Sequence, residues 1–390
     1  MPSDQSNMFE NNYKFWMVFG IWGGRNPSKY YKYFSIFYLL LTFLCYNVLL
    51  TINLIYTPRK IDTMIREVIF YFTELSVASK LLTILLMRNK IIEVLEIIDS
   101  DEFMGDYENK NGLLYKVHKS YKFYFKIYIY FSNMAFSSQV FVPIFLNLIR
   151  GTESELPICK YYFLSDENRQ SYYLFWFLYQ SFGMYGHMTY NVSIDSFIAG
   201  LLVIAIAQLR LLNINIRNLK LSKEENKLSK QLQERITYAR LGGHFRHYDA
   251  ILKYHKVIQE ILSVTMFVQF GVGSIIICVV MCGLLLPSST ETLVFLVMYF
   301  FLMTSQIFMP GFLGTRLVYE SQELTFAAYD SEWISRSEPF KRSLKLFMER
   351  SKTPIKITGL KVFSLSLTTF TSIMKTAYSL FTLVRNFQEN

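Results

Sequence analysis

Charge is what this chain has little of. Asp, Glu, Lys and Arg make up 18% of its 390 residues, against about a quarter in soluble globular domains. Hydrophobic residues make up 52% and mean hydropathy is positive, so a soluble globular fold is excluded in favour of a membrane protein. Cysteine is also scarce. Of Cys45, Cys159, Cys278 and Cys282, only Cys159 lies in a polar loop, which excludes an intrachain disulfide framework. Cys278 and Cys282, four apart on one helical face, read as packing residues. The opening MPSDQSNMFENNYKFW has no basic start, apolar core or small-residue cleavage site, so no cleavable signal peptide is expected. There is no Gly-rich phosphate loop, nucleophile elbow or pair of catalytic carboxylates. Nothing therefore supports an enzyme, and no cofactor is expected. His244 and His247 form an H-x-x-H, but no Cys or carboxylate set accompanies them in sequence, and no metal site is expected.

What is present is apolar length. Seven stretches are long enough to cross a bilayer: residues 33–56, 65–87, 123–149, 172–207, 257–286, 291–315 and 362–384. They predict an all-α membrane protein, residues 1–390 forming a single seven-transmembrane domain. The third and fourth exceed the roughly 20 residues needed and should tilt or protrude. Residues 1–32, with Phe15, Trp16, Phe19 and Trp22 beside glycines, read as an interfacial segment. Pro287, Ser288 and Ser289 read as a tight turn, and Pro310, Gly311 and Gly314 sit near the end of the sixth stretch. Segments 209–256 and 316–361 are basic and helix-prone, too polar to span.

The net charge of +10 suggests nucleic acid until its distribution is examined. Segments 1–32, 88–122, 209–256 and 316–361 hold 30 of the 40 Lys and Arg, and the alternate segments hold 6. That bias places the basic side, with the N-terminus, in the cytoplasm and the C-terminus outside. No nucleic-acid partner is expected, and the basic 209–256 segment can touch anionic membrane lipids. A G-protein-coupled receptor has its N-terminus outside. The third stretch also lacks Asp-Arg-Tyr and the seventh lacks Asn-Pro-x-x-Tyr. A secondary transporter predicts inverted repeats, and the sequence has no internal repeat.

The last stretch carries an uncommon pattern. Thr369, Ser372, Thr376, Ser379, Leu383 and Asn386 share one helical face, with a single bulky hydrophobe among small polar groups. A second arc, Thr368, Thr371, Lys375 and Thr382, lies about 100° away. Two readings remain open. The hydroxyls could bond to neighbouring helices, or the face could line a hydrophobically gated pore.

From the fourth stretch onward the sequence resembles the insect odorant receptor family. The resemblance rests on Asp195-Ser196-Phe197, Gln208 to Leu212, His247 to Tyr254, Gln269-Phe270, Gly314, Glu320-Ser321, Ala328-Tyr329, Trp333, Pro354 and Gly359. It is strongest in the run Phe370 to Ser379 followed by Phe381-Thr382-Leu383. Two positions depart from the pattern: Ser379-Leu380-Phe381 stands for Ser-Tyr-Phe, and Pro310 to Gly314 lacks a cysteine. The tail also differs from that of the related gustatory receptors, and the loop after the fourth stretch is shorter than the co-receptor's. A gustatory or G-protein-coupled chemoreceptor is the alternative.

The resemblance implies an odorant-specific subunit of a ligand-gated, nonselective cation channel. Four subunits, including the co-receptor, would surround one pore in the plasma membrane of olfactory sensory neuron dendrites. Segments 209–256 and 316–361 would anchor subunits together. Leu383 falls at the family's gate and Asn386 at its pore amide, with Ser379 and Thr376 lining the same path. The odorant pocket would lie in the outer half of the membrane, among the second, third, fourth and sixth spans. Its candidates are Phe70, Phe72, Thr73, Phe136, Ser137, Gln139, Val140, Phe175, Tyr179, Phe182, Tyr185, Phe295, Met298 and Tyr299.

Charges within the spans (Glu74, Lys80, Lys126, Asp195 and Lys375) should face protein or water. Glu74 is expected to pair with a basic or hydroxyl group rather than an amine ligand. The outer halves of the third, fourth and sixth spans supply almost no charge, so a small neutral volatile odorant is favoured. Lys375 should point aside from a cation path or sit near its inner mouth. Asn191-Val192-Ser193 matches a glycosylation sequon but lies within a span and should be unmodified.

Overall fold

An apolar segment in lipid must satisfy its own backbone N–H and C=O groups, and a helix does so within the segment. The computed structural model of the protein is accordingly built of helices; the structure describes residues 5–24, 27–104, 112–150, 156–287 and 290–389. A 3₁₀ turn and α1 (Glu10–Val18) come first. A continuous rod follows, made of α2 (Lys29–Leu39), a π turn (Leu40–Leu44) and α3 (Cys45–Tyr56). Then come α4 (Ile61–Leu86), α5 (Arg88–Ile98), α6 (Asp101–Met104), α7 (Leu113–Arg150) and α8 (Asp166–Ser171). The longest helices are α9 (Tyr173–Arg217), α10 (Lys230–Gly283) and α11 (Thr290–Tyr329). After α12 (Glu338–Ser351) a two-strand hairpin, Thr358–Gly359 with Phe363–Ser364, leads into α13 (Leu367–Glu389).

Among the described residues, five helical rods are long and apolar enough to cross a membrane: Lys29–Tyr56, Thr63–Leu86, Tyr173–Arg217, Lys230–Gly283 and Thr292–Tyr329. Helices α7 and α13 have the length, but Tyr, Ser, Thr and Lys dilute them. The helix at the centre is α9, which is buried along most of its length. The expected turn at 287–289 falls partly on Ser288 and Ser289, outside the described residues.

One expectation needs correction, and two helices run further than the apolar stretches they carry. The start of the basic segment 209–256 completes α9, and residues 230–256 are the first half of α10, continuous with the apolar half. Nothing in residues 230–256 stops a helix, Gly242 and Gly243 included. The helix carrying the sixth stretch continues past Gly314, since α11 runs through Pro310 to Tyr329. Gly311 and Gly314 instead clear room for the chain entering α13. A Cβ at Gly314 would collide with the Leu365 carbonyl oxygen, and one at Gly311 would lie 3.1 Å from that of Ser366.

The expectation to correct is the N-terminal segment, which is no interfacial helix. Phe9 and Trp16 are fully buried. The Asn12 amide donates to the Ser193 carbonyl at 2.6 Å and the Ser196 hydroxyl at 3.0 Å, and the Trp16 indole donates to the Ser193 hydroxyl at 3.0 Å. Tyr121 donates to Asn12 Oδ1 at 2.9 Å. These matched polar edges plug α1 into the bundle against α9, which a lipid interface would not supply.

At the basic end, α12 buries Phe340, Leu344 and Phe347 and turns its charges out. Phe347 stacks on Phe245 at 5.2 Å, Arg350 pairs with Asp249 at 2.8 Å, and Asn213 donates to the Glu320 carbonyl at 2.9 Å. His247 does structural work here. Gln208 gives its amide proton to the Phe103 carbonyl, so Gln208 Oε1 accepts from His247 Nε2 at 2.9 Å. Burial, then the neighbouring His244, pushes the His247 pKa down to about 4.

Candidate functional site

The predicted pocket residues fall into three groups. The first joins α4 to α11. The rings of Phe70, Phe295 and Tyr299 meet at centroid distances of 5.4 to 6.1 Å. Thr73 gives its only hydroxyl proton to the Ile69 carbonyl at 2.8 Å, so in its hydrogen bond with Tyr299 the phenol is the donor. The second joins α7 to α9. Phe136 meets Tyr185 edge to face at 5.1 Å, and Gln139 donates to the Pro157 carbonyl at 3.0 Å. Val140 is buried nearby. In the third group Tyr179 donates to the Leu41 carbonyl at 3.1 Å and stacks on Phe175 at 6.4 Å. Phe72 packs partly on the main core. Ser137, Phe175, Phe182 and Met298 are exposed on this chain.

A short segment, Leu156–Leu164, covers one end of these groups. Gln180 clamps it, accepting from the Ile158 N–H at 3.0 Å and donating to the Cys159 carbonyl at 2.9 Å. Asn53 holds it as well, accepting from the Tyr162 N–H at 2.8 Å and donating to Glu67 at 2.7 Å. Leu156, Ile158 and Tyr161 pack with Tyr46 and Leu50 into a second core. Burial pushes the Cys159 thiol above its ordinary range, which leaves it a packing group.

Four charges in the apolar region form two pairs, while Lys126 and Lys375 lie on the exposed surface. The fully buried Lys80 lies 2.5 Å from Asp195 and donates to Asn191 at 2.7 Å. Glu74 pairs with His187, whose other ring nitrogen donates to the Thr42 carbonyl at 2.9 Å. The expectation that Glu74 finds a basic partner holds. The partner was overlooked because His187 was not counted as a charge. Asn191, within α9, accepts from Lys80 of α4 and Gln306 of α11.

Beneath the first group, α4, α9, α10 and α11 enclose a small cavity lined by Thr73, Ser76, Asn191, Gln269, Gly273 and Gln306, with Ile276, Met303 and Ile307. It has room for about one water-sized group. Of the predicted pocket residues, only Thr73 reaches it. The signal for the others was present, since amides inside apolar spans need partners.

On α13, Phe370, Ile373, Met374 and Ala377 face the bundle, with Phe370 against Phe308 at 5.4 Å. Thr376, Ser379, Leu383 and Asn386 all face away, and Leu383 is 52% exposed. The hydroxyls of Thr371, Thr376 and Thr382 donate to carbonyls of their own helix, not to neighbouring helices. Lys375 shares the exposed side.

The family model described as "7tm Odorant receptor" matches residues 60–378. Odorant receptor 2a of Drosophila melanogaster is 26% identical over 212 residues, 53% of each chain. Odorant receptor 22b of the same fly is 27% identical over 188 residues, 48% of this chain and 45% of that one. The match thus spans about half the length of these curated relatives. The olfactory receptor OR5 from Machilis hrabei in complex with eugenol aligns over 98% of both chains, with a TM-score of 0.79 at 17% identity. A second structure of OR5 from Machilis hrabei gives 0.82 over 96% of both chains at 16% identity. The likeness to OR5 is one of fold.

Proposed function

This chain belongs to the 7tm odorant receptor family, and from that premise we propose that it is an odorant-specific subunit of a ligand-gated cation channel. It binds small neutral volatiles in the outer half of the membrane and forms a nonselective cation pore with the co-receptor, in the plasma membrane of olfactory sensory neurons. Seven helices span, with the N-terminus in the cytoplasm, as the charge asymmetry supports.

The observation that carries the reading is the outer face of α13. Its apolar side is spent on the bundle, while Thr376, Ser379, Leu383 and Asn386 are left pointing outward. A polar stripe with one hydrophobe, turned away from its own chain, fits a wall completed by other subunits. Lys80 is paired with Asp195 and Glu74 with His187, so these four groups offer no countercharge to a ligand, which supports a neutral one. The aromatic cluster of Phe70, Phe295 and Tyr299 supplies dispersion contacts for it.

Gating requires that the odorant bind the open arrangement more tightly than the closed one. The outer end of α13 then moves from the pore axis, Leu383 retracts, and Ser379 and Asn386 pass hydrated cations. Recording from cells co-expressing this chain and the co-receptor tests the reading. Odorant-evoked cation current is expected, and Leu383→Ala should leak at rest. Surface-expressed protein silent to a broad volatile panel rejects the channel, and an exterior N-terminal epitope rejects the topology.

A further inference from the structure

We infer that the cavity between α4, α9, α10 and α11 is a hydroxyl-recognition subsite. It takes the O–H of a neutral alcohol or phenol, which donates to Gln269 Oε1 while the carbon skeleton lies among Phe70, Phe295 and Tyr299. The inference rests on the reading of the chain as an odorant-binding subunit.

Gln269 is 3% exposed, and its Nε2 donates to the Gln306 backbone carbonyl at 3.0 Å. A carbonyl only accepts, so the amide cannot be flipped. Its Oε1 is then buried in the cavity wall with no hydrogen-bond partner among the described residues. A buried acceptor without a donor is a cost that a ligand hydroxyl removes. Thr73 Oγ1, Asn191 Oδ1 and Gln306 Nε2 in the same wall are already engaged. Gln306 Nε2 donates to Asn191 at 3.0 Å and Asp195 at 2.8 Å, and Lys80 fills the remaining acceptors of that pair.

The size and position of the cavity agree. It has room for one oxygen-sized group, kept open by Gly273, where a Cβ would lie 2.6 Å from Ile307 Cδ1. Thr73 in its wall is one helical turn from Phe70, and Met303 is one turn from Tyr299. The aromatic cluster therefore lies one helical turn from the cavity wall. Because Lys80 with Asp195 and Glu74 with His187 cancel, an ionised carboxylate or ammonium has no counterion there.

The test is direct binding to the full chain in lipid nanodiscs, read as the dose-dependent rise in melting temperature. The probes are isomer pairs in which the ether lacks the donor: 1-butanol to 1-octanol against 1-methoxypropane to 1-methoxyheptane, and benzyl alcohol against anisole. At least one alcohol should bind about tenfold tighter than its isomeric ether, the value of one hydrogen bond. Gln269→Met should erase that preference while leaving ether affinity within about twofold. Gly273→Ala should erase it too, and it carries the comparison if Gln269→Met does not fold. Equal binding of every pair, no binding of any alcohol, or a Gln269→Met that weakens both members alike overturns the subsite. Alcohol-selective binding without current in co-expressing cells overturns the channel reading and leaves the subsite standing.

Discussion

Removing one member of the Lys80–Asp195 pair should destabilise the protein, and the two removals should not be equivalent. Lys80 is wholly buried, and its ammonium is held by Asp195 at 2.5 Å and Asn191 at 2.7 Å. Asp195→Asn leaves that cation with neutral acceptors alone. Lys80→Met leaves the Asp195 carboxylate with the Gln306 amide at 2.8 Å and 13% side-chain exposure. Breaking a buried pair from one side costs about 3–5 kcal/mol, and Asp195→Asn should lie at the upper end. An unfolding entropy of about 2.1 cal/mol/K per residue gives roughly 0.8 kcal/mol/K for this chain. The single variants should therefore melt about 4–6 °C below the wild type. The double variant Lys80→Met/Asp195→Asn removes both charges and should recover at least half of the larger loss. Melting of detergent-purified protein, followed by size-exclusion after heating, reads all four. A Lys80→Met within about 1 °C of wild type, or a double variant no better than the worse single, refutes the claim that this pair is a coupled, desolvated unit.

Two further outcomes follow from the packing and from His247. Gly314→Ala drives a Cβ into the Leu365 carbonyl, whereas Gly271→Ala meets open space. In the same melting assay the first should cost about 1–3 kcal/mol and the second should be neutral or gain up to about 1 kcal/mol; equal effects would refute the close approach. For His247, the folded pKa of about 4 lies below the unfolded value of about 6.5, so acid favours the unfolded chain. Its contribution is present above pH 6.5 and is lost as pH falls toward 4, amounting to about 2 kcal/mol between pH 7 and 5. His247→Gln, which can still donate to Gln208, should flatten that part of the acid loss. Equal losses in both proteins between pH 7 and 5 would dismiss the assignment.

The helices were legible because apolar length leaves the backbone few alternatives in lipid. Their ends were not, because the apolar stretch marks where lipid stops, not where hydrogen bonding stops. Helix α10 begins at Lys230, well before the apolar run that starts near Val257. The N-terminal aromatics misled for a related reason. Trp and Phe beside glycines look the same whether they meet lipid headgroups or a protein groove. The distinguishing feature was Asn12, four residues before Trp16, facing Ser193 and Ser196 three apart on α9. In the candidate site, sequence singled out Lys80, Asp195 and Glu74 because charge in lipid is costly. It missed Ser76, Asn191, Gln269 and Gln306, since which helix faces meet is settled by packing between segments far apart in the chain.

The exposed face of the terminal helix bears on the two readings its sequence left open. Hydroxyls serving helix packing should reach across to α10 or α11. Those of Thr371, Thr376 and Thr382 instead fold back on carbonyls one turn earlier in α13. The contact with α11 is made by Phe370 and by the glycine-cleared entry at Leu365 and Ser366. Thr368, Thr371, Ser372, Lys375, Thr376 and Ser379 of the two arcs are exposed, as is Leu383. Bare hydrocarbon would solvate the exposed hydroxyls and Lys375 poorly. On the proposed channel reading, a water-filled path bounded by further subunits would solvate them and let Leu383 narrow it.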